Sequence, residues 1–156
     1  MTNAGRFIGI VTLVFAAATP ALAQQAVAQS GAGAGRIKVA SGSAYIVRAN
    51  LTIPAQVGDV VFESDQLRTG ADGALGVTLK DDTRVSLGPS SEVRLEHFVY
   101  APAEGGLGLV LKFVRGVAAY VSGRIAKLAP DAIRLETPAA IVGVRGTSLA
   151  IRVEPK

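Results

Sequence analysis

The chain predicts an all-β domain, and three observations carry that prediction. Apolar residues recur at every second position, turn-forming residues return roughly every 8 to 10 positions, and no stretch beyond the first 23 residues keeps a helical period. The clearest block has Leu75, Val77 and Leu79 facing one way and Gly76, Thr78 and Lys80 the other. Val85 and Leu87, then Val93 and Leu95, repeat the alternation after turns at Asp81-Asp82 and Gly88-Pro89-Ser90-Ser91. Short strands at this spacing suit a sandwich, a barrel or the coils of a β-solenoid, and the expected fold is a short-stranded β-solenoid or a β-sandwich-like domain.

The N-terminus reads as an address. Met1 to Arg6 carries one cationic side chain, Phe7 to Ala18 is an apolar run of 12 residues, and Thr19-Pro20-Ala21-Leu22-Ala23 ends in small residues. That three-part form is a secretory signal peptide, residues 1–23, with cleavage expected after Ala23 and a second site at Ala26-Val27-Ala28. The run is too short for a permanent bilayer span, so no stable membrane span is expected after cleavage. Without a cysteine to acylate, a lipid anchor of the lipobox type is excluded. The mature chain is expected in the periplasm or outside the cell. Residues 24–35 (QQAVAQSGAGAG) form a flexible linker, small and polar, without an apolar period. Their Gly-rich end follows no strand and precedes no helix, which argues against a phosphate loop.

Residues 36–156 make the domain. Ile37 and Val39 open the two-residue period, Ser41-Gly42-Ser43 turns the chain, and Tyr45 to Val47 follows as a strand. Asn50-Leu51-Thr52 matches a glycosylation sequon, informative only in a eukaryotic secretory chain. Pro54 and Gly58-Asp59 mark a turn; Val60 to Phe62 is short and apolar, and Gln66 to Thr69 leads into the tight turn Gly70-Ala71-Asp72-Gly73. After the central block, Ala101 to Gly106 is a loop. Leu107, Leu109, Leu111 and Phe113 share one face, Arg115-Gly116 is the expected turn, and Val117, Ala119 and Val121 continue beyond it. Val121 to Leu128 makes one helical turn or a ragged loop. Ala132 to Leu135 and Leu149 to Val153 are the last strands, separated by Thr137-Pro138 and by Gly143 and Gly146 around Val144-Arg145. The two glycines suggest a sharp backbone reversal there. Arg145 is the one charge in its apolar run and is expected to pair with a carboxylate or to cap backbone carbonyls.

The residues needed for most chemistries are missing. The formal charge is +4, falling to +3 without Arg6, and no three cations are consecutive, so nucleic acid is not an expected partner. The sole histidine, His97, reads as a half-exposed strand residue at a strand end. Ser90 and Ser91 sit in a turn unlike a nucleophile elbow. One histidine and no cysteine cannot build a zinc site. Asp81 and Asp82 are adjacent turn residues expected to splay toward solvent, without the spaced ligands of a calcium loop. Asp59, Asp65 and Asp72 read as loop caps and partners for Arg68 or Arg145. A glycosidase cleft would need convergent carboxylates and stacking aromatics, and the chain has no tryptophan. The expectation is a non-enzymatic protein that uses no cofactor.

The motifs in order resemble the FecR domain family. Gly58-Asp59, Leu67-Arg68-Thr69-Gly70 and Gly73 open the resemblance; Leu79-Lys80-Asp81-Asp82-Thr83, Leu87-Gly88-Pro89-Ser90-Ser91 and Gly116 continue it. Thr137-Pro138 and Val144-Arg145-Gly146-Thr147 close it, so that it spans roughly Lys38 to Val153. The resemblance implies a periplasmic all-β domain related to iron-uptake regulators that sense a loaded outer-membrane receptor and control a sigma factor. This chain departs from that plan: it has a cleavable signal in place of a retained transmembrane helix, and no cytoplasmic segment. Asp82 stands where the family commonly has glycine, and aspartate tolerates a left-handed turn. The reading is a stand-alone module for protein–protein interaction with an envelope protein, with cell-wall or surface glycan as the alternative ligand. Because β-branched residues resist the backbone expected at the closing turn, Gly146→Val should lower the melting temperature. An unchanged melting curve would remove the reversal from the account.

Overall fold

A computed structural model describes residues 31–144 and 148–154, and their secondary structure is almost wholly strand. The strands are β1 (Gly35–Ser41), β2 (Ala44–Arg48), β3 (Leu51–Pro54), β4 (Val60–Val61), β5 (Gln66–Thr69) and β6 (Ala74–Leu79). They continue with β7 (Arg84–Leu87), β8 (Glu92–Ala101), β9 (Gly106–Val121), β10 (Ile133–Glu136), β11 (Ile141–Gly143) and β12 (Ser148–Val153). One short helix, α1 (Ile125–Leu128), resolves the ambiguous stretch after Val121 as a single helical turn.

The long strand β9 organises the sheet. Its first half pairs with β8 on one side and β10 on the other; its second half pairs with β7 and β12. Two leaves therefore share β9. The first leaf runs β4-β1-β6-β7-β9-β12, and the second runs β3-β2-β5-β8-β9-β10-β11. All ladders except β9–β10 are antiparallel. The result is a curled antiparallel half-barrel, all-β as expected. Its antiparallel ladders are not those of a solenoid. Solenoid coils would stack as parallel ladders.

Arg115-Gly116 is not the expected turn. Gly116 has φ +86, and its strand continues on both sides, so the chain bends from one leaf into the other without reversing. Three further crossings meet that bend: β1 to β2 at Ser41–Ala44, β5 to β6 at Thr69–Ala74, and β7 to β8 at Leu87–Glu92. Hydroxyls stitch them together. The Ser91 Oγ accepts the Val117 amide and lies 2.9 Å from the carbonyl oxygens of Val117 and Pro89. The Thr69 Oγ1 donates to the Gly88 carbonyl at 2.6 Å and accepts the Ser91 amide at 3.0 Å. Backbone bonds from Gly70 to Ser43 and from Ser90 to Gly70 complete the line.

The inner faces of both leaves supply one core, with Ile37, Leu75, Val85, Val93, Leu109, Phe113, Tyr120, Ile125 and Leu135 almost fully enclosed. Burying each large side chain contributes about 1.5–3 kcal/mol. Several sequence expectations change here. Val39 is 53% exposed, because a bulge between Ile37 and Val39 breaks the two-residue period. Ala34 and Gly35 belong to the fold and not to the linker: the Ala34 amide donates to Val61, its carbonyl accepts from Lys80, and Gly35 begins β1. His97 lies inside β8 and not at a strand end. The loop from Ala101 to Gly106 contains a 3₁₀ turn at Pro102–Glu104.

The bend makes a specific demand. A Cβ on Gly116 would overlap the Ser91 Oγ, whereas one on Gly105, at φ +72, would meet nothing within 4 Å. Gly105→Ala is expected to cost about 1 kcal/mol from left-handed geometry alone. Gly116→Ala adds the steric clash and is expected to cost about 3 kcal/mol. Urea unfolding midpoints compare the two, and equal losses would show that close approach at the bend contributes nothing.

Candidate functional site

Most of the motif residues singled out by sequence are spent on the fold. Gly58, at φ +99, donates its amide to Ile37, and its carbonyl accepts from Arg36. The Asp59 carboxylate caps the same turn by accepting the Gln56 amide at 2.8 Å. Thr69, Gly70 and Gly73 lie on the line where the leaves meet, and a Cβ on Gly73 would run into the Ser43 carbonyl. Thr137 closes the turn around Pro138, its hydroxyl accepting the Ala140 amide at 3.0 Å. Arg145, Gly146 and Thr147 lie outside the described residues.

The expected carboxylate partners also change. Asp65 pairs with Arg48, not Arg68. The contact is bidentate, with Nε to Oδ1 at 2.7 Å and Nη2 to Oδ2 at 2.6 Å. Asp65 is 1% exposed and also accepts the Phe62 amide; the Arg48 guanidinium lies 4.5 Å from the Phe62 ring centre. The hydrogen bond to Asp65 raises the Arg48 pKa, against the opposing effect of burial. Asp72 acts as the expected loop cap: hydrogen bonds from Ser43, side chain first, lower its pKa. Arg68 pairs in register with Glu92 on the outer face of the second leaf.

Asp81 overturns the expectation that both turn aspartates face water. It is fully buried, bonded to the Thr83 amide at 3.1 Å and the Thr83 hydroxyl at 2.7 Å, with the Ile125 amide at 3.4 Å. Asp82 alone reaches solvent; its φ of +68 is the left-handed turn expected for it, and its carboxylate bonds Arg124 at 2.9 Å. The Tyr120 hydroxyl is enclosed nearby, next to Thr83. Burial, reinforced by the Asp81 charge, pushes its pKa up to about 12.

Among the described residues no candidate for hydrolysis assembles. His97 is half-exposed, as expected, and its Nδ1 lies 3.1 Å from Glu63, which also accepts the Phe98 amide. The Ser91 hydroxyl is committed to the fold. What the geometry offers is an open edge. Among the described residues β11 pairs only with β10, and Ile141 and Val142 are 67% and 41% exposed. Between the β10–β11 hairpin and β12 lies an open cleft of about 290 Å³, lined by Leu135, Thr137, Val142, Leu149, Ile151 and Arg152 among others. The sequence reading missed β11. Its signal was Ile141-Val142, two large apolar residues soon after a Thr-Pro turn.

A family model described as FecR protein matches residues 65–156, more than half of the chain. The chain belongs to the FecR family. This family is one of regulatory signalling proteins. The FecR match starts at Asp65, so Gly58 and Asp59 lie ahead of it, while the bend at Gly116, β11 and the cleft all lie within it. No curated protein and no solved structure matches the chain significantly. Among the described residues no helix is long and apolar enough to cross a membrane.

The Arg48–Asp65 pair gives a test of what holds this region. Removing one partner strands a charge, a loss of about 3 kcal/mol for Asp65→Ala, at the low end because Arg48 keeps some exposure. Arg48→Met combined with Asp65→Ala should recover much of it in the same denaturation assay. No recovery would assign the loss to the Phe62 amide instead.

Proposed function

We propose that this FecR-family chain is a non-enzymatic module of the bacterial envelope, exported by its N-terminal signal, that passes a signal by binding another envelope protein. The observation that carries this reading is the β11 edge. A strand with unpaired backbone groups on one side is a ready template for a partner strand, and large exposed apolar residues beside a cleft supply side-chain pockets. Three exposed residues without a charge or an internal proline are weakly protected against such pairing. The family's signalling role supports a protein partner. The glycan alternative has a separate surface in its favour, the outer face of the first leaf, whose strands carry exposed cations and no Asp or Glu.

The test places a photo-crosslinking residue at Ile141 in cells and, as control, at Lys112, exposed on the outer face of the second leaf. A discrete protein adduct at Ile141 and none at Lys112 is the expected result, with the chain recovered from the periplasm and beginning at Gln24. Ile141→Lys should abolish capture while leaving the melting temperature unchanged, because the side chain lies outside the core. No adduct at Ile141, or equal adducts at both positions, would sink the edge as the docking site.

A further inference from the structure

The outer faces of the two leaves differ in charge. On the second leaf, cations alternate with carboxylates: Arg115 contacts Glu92 at 3.2 Å and Arg94 contacts Glu96 at 3.5 Å. The strands of the first leaf contain Arg36, Lys38, Arg84 and Arg152, all exposed, and no Asp or Glu. Between these cations Ser86, Ala119 and Ala150 are in register across β7, β9 and β12, flanked by the exposed Val39 and Val117. Arg36, Thr78 and Arg84 form a cross-strand row, which sets the two arginines two strand spacings apart, roughly 10 Å. At the end of this row lies a polar groove of about 420 Å³, lined by Thr78, Arg84, Ser122, Arg124 and Lys127 around Asp82. Asp82 is bonded to Arg124; Arg84 and Lys127 form no ion pair among the described residues. The groove floor is fixed, because the Gly123 amide bonds the Thr83 hydroxyl and the Arg124 amide bonds the Asp81 carbonyl.

We propose that this face binds an acidic polysaccharide, with its carboxylate groups held along the row from Arg36 to Arg84 and into the groove at Lys127. Charge complementarity selects a polyanion. The strands of this leaf expose no aromatic residue, Tyr120 being buried. Protein interfaces lean on buried aromatic anchors and single-stranded nucleic acid on aromatic stacking, and the strands of this face offer neither. A chain of uronic acids needs neither, since its carboxylates recur along an extended backbone on the scale of the arginine spacing. The proposal does not depend on the β11 edge, which lies on the other leaf.

The test is titration of the purified chain with polygalacturonate at low and high salt. Neutral dextran, an oligo-dT strand and phosphatidylglycerol vesicles serve as comparisons. Binding of polygalacturonate alone, weakening as salt rises, is expected. Arg84→Gln and Lys127→Gln should each weaken it by about two- to fivefold, the range for an exposed charge contact. Arg94→Gln and Lys112→Gln, which remove the same charge from the second leaf, should leave it unchanged. The proposal falls if polygalacturonate does not bind, if the second-leaf variants lose as much, or if oligo-dT or the vesicles bind as tightly.

Discussion

The structure depends on one line of contact, where four strand crossings pass within hydrogen-bonding distance of each other. A sheet that folds over on itself breaks its own ladder at the fold, and the backbone groups freed there must find partners. Here the Ser91 and Thr69 hydroxyls supply them. Each both donates and accepts, so each stands in for a missing peptide group between two chains. The close approach that lets short hydroxyl side chains reach also leaves no space for a Cβ at Gly73 or Gly116. Small residues and hydroxyls at the crossings therefore belong to one constraint. With that line in place the two leaves face each other, and the core from Ile37 to Leu135 has two walls.

The opposite end of the first leaf uses a buried charge for the same purpose. Asp81 gathers the Thr83 amide and hydroxyl and faces the first amide of α1, so the hairpin between β6 and β7 is tied to the chain leaving β9. A fully buried carboxylate is tolerated only when several donors face it, and three do. An apolar residue in its place would pack but would leave those amides without an acceptor. The Tyr120 hydroxyl is enclosed beside this network, next to Thr83.

The strands were legible because alternation is a local property. Leu75, Val77 and Leu79 announce a face whatever they pack against, and the turn at Gly70–Gly73 is set by residues adjacent in the chain. What was not legible depended on distant segments. Arg115-Gly116 carries turn chemistry and yet bends a continuous strand, because β7, β8, β10 and β12 hold both halves in ladders. Asp81 and Asp82 look alike in sequence; the neighbouring Gly123–Ile125 segment buries one and leaves the other in water. Bulges such as that at Val39 leave no mark in composition. The outer-face charge pattern needed the strand order, since Arg36 and Arg84 are neighbours only once β6 lies between them.

Loops on a rigid scaffold ordinarily carry recognition, and a motif rich in turn residues invites that reading. In this chain several motif-turn residues point inward: Thr69, Gly73 and Ser91 are buried, and Asp81 is enclosed, while Gly58, Asp82 and Pro138 face solvent. A turn whose polar groups are already bonded has few left for a ligand. The surfaces proposed for recognition accordingly lie on strands, at the β11 edge and on the outer face of the first leaf. Edges and faces can vary without disturbing the crossings, because their residues contribute little to the core. A fold held at its turns can thus present different partners with different surfaces while keeping the same ordered set of glycines, hydroxyls and aspartates.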